Sequence, residues 1–222
     1  MKHIILRPIK VNALGDTLNY MAAACKIALK YPDSEFILHK GMSDNNLKWM
    51  IKGFGVSNIK LINIYQPTNG YKREGSAELG RAFENQYLEK TKKLFPNGFF
   101  IERNSKAMNN LKINIDKEPS GYLTYQFDAG SKNRCLTEEQ QEQIFSRYQK
   151  PMVQVGGGMP IEECAELIAK SDGHVGADSG LAHLAGYILD DCSSIHLYRA
   201  DNNFTYWPKK LAHKKGVKLC QL

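Results

Sequence analysis

A parallel α/β fold in two halves is what this sequence predicts, on three observations. Strand-like apolar runs alternate with helical stretches along the chain, the pattern of layered α/β architecture. Two strand-to-helix junctions carry loop chemistry suited to ligands, at Leu14-Gly15-Asp16 and at Ala177-Asp178-Ser179-Gly180. Another strand runs directly into Gly156-Gly157-Gly158.

The first half opens with a strand over Ile4 to Ile9. A helix follows over Asp16 to Lys30, where Leu18, Met21, Ala22, Cys25, Ala28 and Leu29 fall at helical spacing and are expected to pack on the sheet, leaving Lys26 and Lys30 toward solvent. Strands over Phe36 to His39, Ile59 to Ile64 and Phe99 to Glu102 alternate with helices over Asn45 to Phe54 and Ser76 to Leu94. The join is the polar stretch from Asn109 to Ser120, within which Leu111, Ile113 and Ile115 alternate as a connecting strand would. The halves are therefore drawn as residues 1–115 and 116–222.

The second half begins with a strand over Tyr122 to Phe127. A helix over Thr137 to Tyr148 follows, with Thr137 and Gln140 spaced as a capping box, and then a strand over Met152 to Val155. The three glycines at 156–158 suit either a phosphate cradle or, with no second motif beside them, a tight turn. Pro160 is suited to start the next helix, with Glu162 and Glu163 in its first turn and Ala169 near its end. Val175-Gly176-Ala177 then breaks on Asp178-Ser179-Gly180 into a short apolar helix. At such a junction, first-turn N–H groups and the positive end of the helix dipole converge on one point, and a diphosphate fits there. An ordinary N-cap by Asp178 or Ser179 is the alternative. Leu181, Leu184, Ala185 and Ile188 form the apolar face of this helix, and His183 lies off it, which predicts exposure. A strand over Ile195 to Tyr198 comes next.

The run Asp178-Ser179-Gly180-Leu181-Ala182-His183-Leu184-Ala185 resembles the D-[ST]-G-x-x-H-L-A signature of the heptosyltransferases, glycosyltransferase family 9. Phe204-Thr205-Tyr206-Trp207-Pro208 is similar to the aromatic-Pro segment that follows in that family, and Ile4 to Arg7 with Leu14-Gly15-Asp16 is similar to its opening strand and loop. The resemblance implies a compact GT-B-like fold, two Rossmann-like domains with a cleft between them, the first on the acceptor side and the second holding a nucleotide-sugar. It also implies an inverting transfer in which Asp16 is the general base. The other task open to Asp16 is to cap a helix beginning at Thr17.

For the leaving diphosphate, Lys132 is the closest match to the family's lysine, and Arg134, whose planar fork suits phosphate oxygens, is the other candidate. By the same resemblance Asp178 faces the donor sugar or ribose, Ser179 and Gly180 complete the diphosphate site, and His183 contacts the ligand. No clustered Asp/His ligands and no D-x-D motif appear, so no metal and no cofactor are expected beyond the nucleoside-diphosphate sugar itself, which is a substrate.

A formal net charge of +7 and a pI near 9.0 favour an anionic partner. Basic residues including Arg7, Lys10, Lys72 and Arg73, with aromatic-interleaved stretches around Lys90 to Phe95 and Tyr206 to Lys215, suit a polyanion. Two acceptors fit: the core of lipopolysaccharide, which the resemblance implies, or hydroxymethylated bases of phage DNA, which would have to be flipped out. A nucleotide-binding module without catalysis is the alternative function. A Rossmann oxidoreductase is disfavoured, because no G-x-G-x-x-G follows the first strand. With five scattered cysteines, no membrane-length apolar run and no signal-peptide pattern at Met1-Lys2-His3-Ile4, a cytoplasmic protein with reduced cysteines is expected, in the host cytoplasm if viral; a monomer is compatible with all of this.

Overall fold

The computed structural model describes residues 3–6, 14–39, 44–62, 99–101, 111–118, 120–130, 134–190, 193–200 and 216–222. Two separate parallel sheets organise the chain. The first is built from β1 (His3–Leu6), β2 (Glu35–His39), β3 (Ile59–Ile62) and β4 (Phe99–Ile101) in the order β3-β2-β1-β4. The second is built from β5 (Leu123–Gln126), β6 (Met152–Gln154), β7 (Gly173–Ala177), β8 (Ser194–Tyr198) and β9 (Val217–Leu219) in the order β6-β5-β7-β8-β9. Both orders reverse direction beside the sheet's own first strand. Such switch points open a crevice at the carboxyl ends of the strands, between β1 and β4 in one sheet and between β5 and β7 in the other. The Rossmann-like α/β class expected from the sequence is the observed one. β9 was not anticipated.

Helix α1 spans Leu14–Lys30 and α2 spans Asp44–Gly53. Of the predicted apolar stripe on α1, Leu18, Met21, Ala22, Cys25 and Ala28 are fully buried, and Lys26 and Lys30 are exposed. Leu29 departs from the expectation: it is 47 % exposed. The predicted helix over Ser76 to Leu94 lies outside the described residues.

In the second unit, α3 (Glu138–Phe145) is shorter than predicted but starts at the expected capping box. The Thr137 side chain accepts from the Gln140 N–H, and the Gln140 side chain accepts from the Thr137 N–H at 2.9 Å. Helix α4 spans Ile161–Lys170, with Pro160 at its N-cap rather than inside it, and α5 spans Gly180–Ile188. α3 packs on one face of the second sheet through Ile144, against Leu123, Phe127, Val175 and Tyr198. α4 and α5 cover the other face.

That other face carries the principal core, which is continuous across both units: Leu18, Met21 and Phe54 from the first belong to the same cluster as Ile168, Leu184 and Leu197 from the second. α5 is buried all round, from Leu181 to Ile188, as an apolar helix with neighbours on several sides must be. Residues 111–118, which contain the expected 115/116 division, form no strand. They run as irregular chain between the units, where the Ile113 N–H donates to the Tyr187 carbonyl at 2.8 Å and the Asn114 N–H to the Gly53 carbonyl at 2.7 Å. Lys117 pairs with Asp190 at 2.5 Å and holds that carboxyl below its ordinary range. Under the helices, His174 of β7 is fully buried and shares a 3.1 Å hydrogen bond between Nδ1 and Thr124 Oγ1. Loss of solvation brings its pKa down to about 4.

Candidate functional site

β7 delivers the chain to the carboxyl edge of the second sheet, beside the β5 end, and the turn Asp178-Ser179 hands it to α5. Ser179, extended at φ −137°, is the N-cap, and its Oγ accepts from the Ala182 N–H at 3.4 Å. Asp178 is thus not the cap. It is buried, and its Oδ2 accepts from Arg199 Nη1 at 3.2 Å. Arg134 Nη1 donates to the Asp178 main-chain carbonyl at 2.9 Å and lies 3.8 Å from Oδ2. Asp178, expected to face a donor sugar, thus carries two guanidinium groups within 4 Å of its Oδ2.

Those groups come from neighbouring strands. Arg134 follows β5 and keeps 31 % of its side chain exposed, whereas Arg199 follows β8 and is buried. One carboxylate therefore ties together the loops at the ends of β5, β7 and β8, which stand side by side in the sheet. Arg199 escaped the sequence reading; it follows the buried strand end Leu197-Tyr198, where a charge carries no motif and its partner lies 21 residues away.

The first turn of α1 meets this junction. A Cβ placed on Gly180 would lie 2.7 Å from Leu14 Cβ and 3.1 Å from the Gly15 nitrogen, and one on Gly15 would lie 2.8 Å from His183 Cδ2. Both glycines are required by close approach. The helix consequently begins at Leu14, whose side chain packs against Gly180, and Gly15 and Asp16 stand in its first turn. Asp16 therefore stands within the helix rather than ahead of it, and its side chain lies outside the described structure. His183 is 6 % exposed, in contrast to the predicted exposure, because α1 covers it.

Two helix N-termini therefore converge, one from each unit. Each carries a partial positive charge and first-turn donors, so their meeting point favours an anion. The glycine loop borders it: Gly156, Gly157 and Gly158 have φ of 94°, 64° and 93°, a turn that L side chains rarely adopt, and a Cβ on Gly156 would lie 3.0 Å from Leu181 Cδ1. Lys132, Arg7, Lys10, Lys72, Arg73 and the aromatic-Pro segment 204–208 lie outside the described residues. Among the described residues no group of three or more His, Cys, Asp or Glu is placed to hold a metal, and no helix is long and apolar enough to cross a membrane.

The sequence profile of glycosyltransferase family 9 (heptosyltransferase) matches residues 120–208, in agreement with the resemblance read from the motif. No curated protein matches the sequence. Among solved structures, the chain is similar to the E. coli heptosyltransferase WaaC with ADP, at 12 % identity and a TM-score of 0.57, covering 100 % of this chain and 93 % of that one. It is similar to a family 9 glycosyl transferase from Veillonella parvula DSM 2008, at 10 % identity and 0.59, covering 100 % and 86 %. It is also similar to the E. coli ADP-heptose lps heptosyltransferase II, at 11 % identity and 0.52, covering 98 % and 90 %. At these identities the likeness establishes a shared fold.

Proposed function

We propose that this chain, whose residues 120–208 match the family 9 glycosyltransferase profile, transfers a sugar from a nucleoside diphosphate to a hydroxyl of an anionic acceptor, with inversion and without a metal. One contact carries the assignment: the first turn of α1, with Asp16 in it, is seated on the first turn of α5 through Gly15 and Gly180. A base and a diphosphate site thus belong to one crevice. The second unit, residues 116–222, holds the donor, and the first, residues 1–115, presents the acceptor.

Asp16 takes the proton from the acceptor hydroxyl as that oxygen bonds to the anomeric carbon. The bond from that carbon to the diphosphate oxygen breaks on the opposite face, and the nucleoside diphosphate leaves with the electron pair. The α5 N-terminus receives the developing charge, with Arg134 and Lys132 as the cations of the loop after β5. An ADP-linked donor and the inner core of lipopolysaccharide are the first pair to try, because WaaC is described with ADP and the second E. coli relative as an lps heptosyltransferase.

Incubating the protein with ADP-, UDP- and GDP-sugars in the presence of truncated lipopolysaccharide or hydroxymethylcytosine DNA, and reading acceptor mass, tests this. A sugar-sized gain on lipopolysaccharide is expected. In Asp16→Asn the rate should fall about 100-fold or more while the donor still binds. A gain on DNA alone would reassign the acceptor, full activity in Asp16→Asn would remove the base, and no transfer from any donor by the folded protein would overturn the function.

A further inference from the structure

We propose that Gln126 is a specificity residue for the donor: its side-chain oxygen accepts a hydrogen bond from an O–H or N–H of the bound nucleotide-sugar. The inference rests on the reading of the second unit as the half that holds the donor. Gln126 is the last residue of β5 and pairs with Gly176 of β7, so it stands at the switch point where the second sheet opens. One contact orients its amide. Nε2 donates to the Asp128 carbonyl, which can only accept, so the nitrogen faces that carbonyl and Oε1 faces elsewhere. Oε1 is buried and has no hydrogen-bond partner among the described residues. A buried acceptor left unpaired is a standing cost to the fold, and one beside a ligand crevice is accounted for when the ligand supplies the donor. The neighbouring loop is main chain without side chains. A Cβ on Gly156 would lie 3.4 Å from Gln126 Cγ, whereas one on Gly157 or Gly158 would meet nothing within 4 Å, so the amide adjoins a loop that borders open space. The oxygens of an ionised diphosphate accept and do not donate. The group that meets Oε1 is therefore a ribose or sugar hydroxyl or a base amine, and not the diphosphate.

Calorimetric titration of the unmutated protein and of Gln126→Met with ADP, UDP and GDP, and with ADP-, UDP- and GDP-glucose, tests the proposal beside urea unfolding of both proteins. Methionine keeps the unbranched shape of the side chain and removes the unpaired acceptor. Gln126→Met should bind the best ligand about fivefold or more weakly, while its urea midpoint stays the same or rises. A loss seen with the free diphosphates assigns the donating group to the nucleoside, and a loss confined to the glucose-bearing ligands assigns it to the transferred sugar. Unchanged affinity for every ligand would overturn the proposal. So would weaker binding at a lower midpoint, because the amide would then serve the fold. If Gln126→Met does not fold, Gln126→Leu is judged by the same two readings. Failure of the unmutated protein to bind any of these ligands would instead overturn the donor-site reading on which the proposal stands.

Discussion

The absence of a single methyl group decides how closely the two units approach. Gly180→Ala would set a Cβ 2.7 Å from Leu14 Cβ, with main chain close behind, so the helices must move apart. Overpacking of that kind costs about 1–3 kcal/mol, visible as a lower urea midpoint at unchanged slope, and on the proposed function transfer should fall with it. His174 offers a second check at this scale. Its pKa lies near 4 in the folded chain and near 6.5 when exposed, so the unfolded state binds the extra proton between those values. Stability should therefore be full above about pH 6.5, decline as pH falls toward about 4, and lose no more from this group below that. Urea midpoints across that range measure the decline, and His174→Gln should flatten it. Residue roles were only partly legible in the sequence. Asp178, Ser179 and Gly180 announced a helix start beside a strand, but the partner of Asp178 sits after a different strand, and only the sheet order brings Arg199 to it.

Local rules read well for elements with a single exposed face. The Thr137 capping box is present as spaced, and Thr137→Ala should cost about 1 kcal/mol of stability in denaturant titration, with little effect on transfer because α3 lies on the face away from the crevice. The stripe on α1 was legible down to Ala28, since its period of 3.6 residues specifies one buried side. Leu29 was misread: it lies in the last turn of α1 and is 47 % exposed, although Ala28 beside it is fully buried. His183 was misread for the converse reason. Periodicity assigns a helix one buried face, while α5 has the sheet on one side and α1 on another, so a residue off the apolar stripe is covered as well.

At the scale of the molecule, the alternating pattern revealed two parallel sheets but not that they share a core, since contacts between Leu18 or Phe54 and the helices of the second unit leave no local trace. That continuity predicts one cooperative unfolding transition: far-UV circular dichroism and tryptophan fluorescence should give coincident denaturation curves, and two separated midpoints would show that the units unfold independently. The seating of α1 on α5 reaches further, into synthesis. About 150 residues separate the end of α1 at Lys30 from the start of α5 at Gly180, which ribosomes traverse in roughly 8–30 s at their usual rates. Throughout that interval the face of α1 that α5 will cover is an apolar surface on a nascent chain, without its cover until residues 180–188 have left the ribosome.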